Sequence, residues 1–202
     1  MRLILGDSVD KLKELEDNSV DSIVTDPPYG LSFMGKKWDY DVPSQEIFEE
    51  CLRVLKPGGH LLSFAGSRTY HRMAVRVEDA GFEIRDQIMW IYGSGFPKSH
   101  NIGKAVDKLQ GNEREVIGTK IHSQKGVKAA EERTTIGAGA FGEPREADIT
   151  KGNSQWEGWG TALKPAHEPI VMARKPLSEK SIVDNVLKHG TGAINIDGCR
   201  VE

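Results

Sequence analysis

Val20-Asp21-Ser22-Ile23-Val24-Thr25-Asp26-Pro27-Pro28-Tyr29-Gly30 is the stretch whose reading decides the fold. Its first six residues, rich in β-branched side chains, predict a buried strand. The two prolines then end that strand, because proline has no N–H to give to a sheet. Toward the amino terminus, Arg2 to Gly6 read as another short buried strand ending at Asp7. Ser8 is placed to cap a helix carrying Val9, Leu12 and Leu15, which stops near Asn18. Toward the carboxyl terminus, residues 44 to 55 put Ile47, Phe48, Cys51, Leu52 and Leu55 on one helical face, and Pro57-Gly58-Gly59 is expected to end that helix. His60 to Ala65 reads as a strand, Arg68 to Ala80 as a helix closed by Gly81, and Phe82 to Tyr92 as one or two more strands.

This alternation predicts an α/β fold, a partial doubly wound parallel sheet with helical crossovers and ligands at the carboxyl ends of its strands. Asp7, Asp26 and Gly66 fall at such ends. Past Gly93 the character changes. Residues 119 to 155 show neither helical nor strand period, and 120 to 155, with the glycine-rich run 137 to 142, are expected to form an irregular insert or mobile loop. Order returns with a strand over Glu168 to Ala173 and a capped helix over Ser181 to His189.

Length and composition bound the rest. A chain of 202 residues suffices for one domain with a full core and a small appended lobe. No apolar run approaches the ~20 residues of a membrane span, and the amino terminus lacks a secretory layout, so a soluble, cytoplasmic protein is expected. Cys51 and Cys199 lie too far apart to suggest a zinc or disulfide framework. His167-Glu168 lacks the second histidine of a zinc motif, so no metal is expected either. The net charge of -3 is unevenly spread: residues 93 to 133 hold eight Lys and Arg against five Asp and Glu. A basic segment beside an acidic core suits an enzyme that meets nucleic acid through one insert, and equally a solvated loop.

Asp26-Pro27-Pro28-Tyr29 alone would serve as a turn. At the end of a buried strand it also joins three chemical tools. The Asp26 carboxylate and a proline-fixed carbonyl, that of Pro27, can accept both N–H groups of a flat amine and localise its lone pair for attack on a methylsulfonium. The Tyr29 ring can stack on a base that has left its duplex.

With Leu5-Gly6-Asp7-Ser8 before it and Leu55-Lys56-Pro57-Gly58-Gly59 after it, this tetrapeptide resembles the amino-methylating DNA methyltransferases, N6-adenine or N4-cytosine. Phe64 to Arg72, Met89-Trp90 and His167-Glu168-Pro169-Ile170 extend the resemblance over most of the chain. The order of motifs is similar to the group whose catalytic motif precedes the cofactor glycines. The resemblance implies a Rossmann-like methyltransferase sheet, S-adenosylmethionine as cofactor and double-stranded DNA as partner, of the restriction-modification kind found in bacteria and phages. It implies catalytic roles for Asp26, Pro27, Pro28 and Tyr29, and cofactor contacts for Asp7, Ser8 and Asp26. For Asp7 a helix cap is the competing role.

Three regions are then expected: a catalytic α/β half-domain over 1–92, a basic, loop-rich target-recognition region over 93–165, and a strand-helix return segment over 166–202. Lys98, Lys104, Arg68 and Trp156 are the candidate DNA contacts. The Phe-x-Gly-x-Gly turn expected near the carboxyl end does not occur in this sequence. A fragment is the favoured explanation, and a homodimer or complementing chain is a further possibility. The competing functions are an inactive DNA-binding remnant and a methyltransferase acting on RNA or a protein amide; Asp at 26 leans toward a nucleobase and toward adenine.

Overall fold

The computed structural model describes residues 3–32, 35–92, 99–125, 141–163 and 167–201. The chain forms two compact units, one made of residues 1–95 and 165–202 and the other of residues 96–164.

The first unit is built on a four-stranded sheet of β1 (Val20–Thr25), β2 (Leu55–Phe64), β3 (Glu83–Ile91) and β6 (His167–Arg174), in the spatial order β1-β2-β6-β3. β1 and β2 are parallel, and β6 runs antiparallel to both β2 and β3, so β1, β2 and β3 share one direction. Helices α2 (Gln45–Val54) and α3 (Tyr70–Asp79) make the crossovers. The fold class is therefore α/β and Rossmann-like, with a mixed sheet in place of the wholly parallel one expected. The cause is the chain path. It leaves β3 at Ile91 and re-enters the sheet at His167, directly opposite, so β6 can only run back the other way.

One face of the sheet carries the core. Leu61 pairs with Ala173 and Ser63 with Val171, all four buried, and Phe48, Cys51, Met73 and Val77 pack over them from α2 and α3. Alternation sends Val24, Leu62, Phe64, Ile88 and Trp90 to the opposite face, where Trp90 is 60% exposed and tilts against Phe64 with ring centroids 6.3 Å apart.

Three local expectations need correction. Leu3 to Leu5 form no strand: among the described residues nothing pairs with them, and Leu3 and Leu5 are 84% and 98% exposed. An apolar run becomes a buried strand only when a neighbour offers it a ladder, and none of the described residues does so. Asp7, not Ser8, caps α1 (Ser8–Lys13), its Oδ1 accepting the Val9 N–H at 2.9 Å. Pro57-Gly58-Gly59 lies inside β2 instead of closing α2. Gly58 has φ +80, and a Cβ there would sit 2.6 Å from Asn185 Nδ2. That amide, buried on α5 (Ile182–His189), donates to the carbonyls of Pro57 and Thr191 at 2.9 Å each, which docks α5 on the bend.

In the second unit α4 (Ile102–Gln110) is capped by Asn101, whose side chain accepts the Lys104 N–H at 2.8 Å. β4 (Glu115–Lys125) and β5 (Phe141–Lys151) pair antiparallel. The irregular lobe expected over 120–155 is thus largely two long strands; residues 126–140, with most of the glycine-rich run, lie outside the described residues. Bulges at Val116/Gly118 and Ser123/Lys125 shift the register, and this erases the period of two by which strands are recognised. Arg114 ties the unit together, donating to Asp107 of α4, to both Glu157 oxygens and to Thr150 of β5.

Candidate active site

Asp26 follows β1 directly and is exposed at the end of the sheet where β1 and β2 finish and β6 begins. Two side chains, those of Asp39 and Thr69, hold the turn that carries it. Asp39, 3% exposed, accepts the N–H groups of Tyr29 (2.8 Å), Gly30 (2.9 Å) and Leu31 (3.2 Å). Gly30 makes this wrap feasible: its φ is +68, and a Cβ would come within 2.9 Å of the Val42 nitrogen. Thr69, just past β2, donates its hydroxyl to the Tyr29 carbonyl at 2.5 Å.

The Tyr29 ring is half-buried and its hydroxyl donates back to the Asp26 carboxylate, 2.7 Å from Oδ1. Glu168, at the start of β6, brings Oε2 to 3.2 Å from the same hydroxyl. Burial, then the hydrogen bond to Asp26 and the charges of Asp26 and Glu168, push the phenol pKa up, so Tyr29 stays a neutral donor. Among the described residues no cation pairs with Asp26 and no donor reaches the Pro27 carbonyl. An exposed carboxylate and a proline-fixed carbonyl therefore stand in the same turn as an aromatic ring, an arrangement able to grip a planar amine.

Of the residues expected from sequence, Asp26 and Tyr29 meet directly, with Pro27 and Pro28 forming the turn between them. Asp7 is exposed and engaged in its cap, while Ser8 lies in the first turn of α1. Arg68 is exposed in the turn before α3, in the first unit. Lys104 and Trp156 belong to the second unit, where Lys104 acts on Glu157 and Trp156 meets Trp159 edge-on at 4.9 Å. Lys98 lies outside the described residues. Asp39, Thr69 and Glu168 were not expected. Thr69 and Glu168 stand inside motifs that carry the resemblance, which was the available signal; for Asp39, in a polar loop, there was none.

Residues 20–193 match the N6/N4 methyltransferase family, described as DNA methylase, and the chain belongs to that family. It is 25% identical over 235 residues to the type II methyltransferase M.HindIII of Haemophilus influenzae, covering 94% of this chain and 63% of that protein. It is 34% identical over 119 residues to the type II methyltransferase M.HpaI of Haemophilus parainfluenzae, covering 54% of this chain and 37% of that one. Among solved structures it is similar to M1.HpyAVI, with TM-score 0.41 and 16% identity, covering 85% of this chain and 53% of that one. The chain therefore spans only part of the length of these relatives. Among the described residues no helix is long and apolar enough to cross a membrane.

Proposed function

We propose that this chain carries the catalytic centre of an S-adenosylmethionine-dependent DNA methyltransferase, and that its acceptor is the exocyclic amino group of a base turned out of the duplex, adenine N6. The observation that carries the reading is the exposed Asp26 carboxylate at the end of β1, one of its oxygens held by Tyr29 and the Pro27 carbonyl beside it in a rigid turn.

The residues act in sequence. The base stacks on Tyr29, which lends about 1 to 3 kcal/mol of binding. Asp26 and the Pro27 carbonyl accept the two amino protons, so the nitrogen lone pair leaves conjugation with the ring and points outward. Both acceptors are fixed by the proline turn and by Asp39 beneath it, so little reorganisation precedes reaction. The nitrogen sheds a proton once methylated, and the exposed Asp26 is the nearest base to receive it.

Asp7 and Asp26 are exposed acceptors, which suits the hydroxyl and ammonium donors of S-adenosylmethionine; Asp7 would hold the adenosyl end with Ser8 beside it. When bound, the cofactor supplies an electrophilic methyl group. Lys98, Lys104 and Trp156 in the second unit, and Arg68 in the first, are each candidate contacts to the duplex.

The test is label transfer from tritiated S-adenosylmethionine to DNA, RNA and peptide, with the nucleic acids digested to nucleosides. The reading predicts label in N6-methyladenine of DNA. Label in cytosine, in RNA or in peptide, or none in any acceptor, contradicts it.

A further inference from the structure

The Tyr29 hydroxyl has one proton and two carboxylates to give it to: Asp26 Oδ1 at 2.7 Å and Glu168 Oε2 at 3.2 Å. These two are the charged groups that face the phenol; of Tyr29, Asp39 and Thr69 touch backbone atoms and not the hydroxyl. As the site stands, the hydroxyl donates to the nearer carboxylate, the one that must accept an amino N–H from the base. An incoming amine and the phenol therefore compete for Asp26, and a half-buried phenol left with no acceptor is costly.

We propose that Glu168 is a positioning residue that takes over the Tyr29 hydroxyl when Asp26 receives an amino group. Rotation about the C–O bond of Tyr29 suffices; no covalent bond forms or breaks, and the phenol proton stays on its oxygen. Glu168 is well placed for this. It is the second residue of β6, where it pairs with Trp90 of β3, and further along the strand the buried Val171 and Ala173, flanked by both β2 and β3, fix β6 in the core, so the carboxylate is carried by the sheet and not by a loop. His167 and Glu168 need no metal to have a purpose in this position. The inference rests on the role given to Asp26 in methyl transfer.

It is tested on the chain itself with 3-fluorotyrosine in place of tyrosine, reading ionisation by fluorine NMR; Tyr29→Phe assigns the resonance. Tyr40, Tyr70 and Tyr92 report whether each variant keeps its fold. Asp26→Asn mimics a carboxylate whose charge is no longer available, so in that variant the hydroxyl turns to Glu168. Adding Glu168→Gln should then lower the Tyr29 midpoint by about one unit or more, and by clearly more than Glu168→Gln does when Asp26 is intact. An equal shift in the two backgrounds, or none after Asp26→Asn, overturns the proposal. Failure of the methyltransferase reading would show instead as absent label transfer with this coupling intact.

Discussion

The Tyr29 hydroxyl lies 2.7 Å from Asp26 Oδ1, so the residue expected to stack on a base is also tied to the carboxylate expected to hold that base's amine. Ring and hydroxyl can be separated. Tyr29→Phe keeps the stacking surface and removes the competitor, so affinity for a duplex with 2-aminopurine at the target base should stay within about threefold, whereas Tyr29→Ala should weaken it by about ten- to a hundredfold, the equivalent of one lost stack. Fluorescence titration reads both. Equal losses in the two variants would remove the ring from the binding account.

Asp39 predicts a loss of order in the catalytic turn without any change in the catalytic groups. Its carboxylate accepts three consecutive N–H groups, and bonds to a charged acceptor contribute about 1.5 to 3 kcal/mol each when taken singly. Asp39→Ala should lower unfolding free energy by about 3 kcal/mol in urea and speed amide exchange at Tyr29, Gly30 and Leu31. Protection unchanged at those three amides would refute the anchoring role.

Asn185 is the corresponding clamp at the other end of β2. Replacing it with leucine leaves the carbonyls of Pro57 and Thr191 without its amide donor inside the fold, at a cost of about 2 kcal/mol or more. Chemical denaturation measures the loss, and a stability within 0.5 kcal/mol of the parent would contradict the assignment, by the usual range of surface changes (about ±0.5 kcal/mol).

In the second unit, Arg114→Leu strands Asp107, which is 1% exposed, beside an apolar side chain. The expected result is faster hydrogen exchange through α4, β4 and β5, with the core strands β2 and β6 of the first unit unaffected. Exchange accelerated equally in both units would mean that they unfold as one.

The legible parts of the sequence were those with an intact local signal. The helices α2, α3 and α5 were legible from apolar spacing and caps, β1 from its β-branched residues although it buries none of them fully, and the Asp-Pro-Pro-Tyr prolines from the turn they force. The strands of the second unit were hidden because their bulges interrupt alternation, and Leu3 to Leu5 misled because hydrophobicity records a wish for a neighbour, not its presence. The antiparallel course of β6 follows from where the chain re-enters the sheet, which no local pattern encodes. The roles of Asp39 and Glu168 could not be read for the same reason, although Glu168 stands in a motif of the resemblance: each meets Tyr29 only after folding, from 10 and 139 residues away.

The central claim is tested most directly by methyl incorporation into DNA with Asp26 altered and the fold verified by circular dichroism. The account predicts transfer by the parent chain, and a fall of at least a hundredfold in Asp26→Ala, since removing one fixed oxyanion-type partner costs about two to three orders of magnitude. Transfer by Asp26→Ala at the parent rate would show that the carboxylate does not hold the amine.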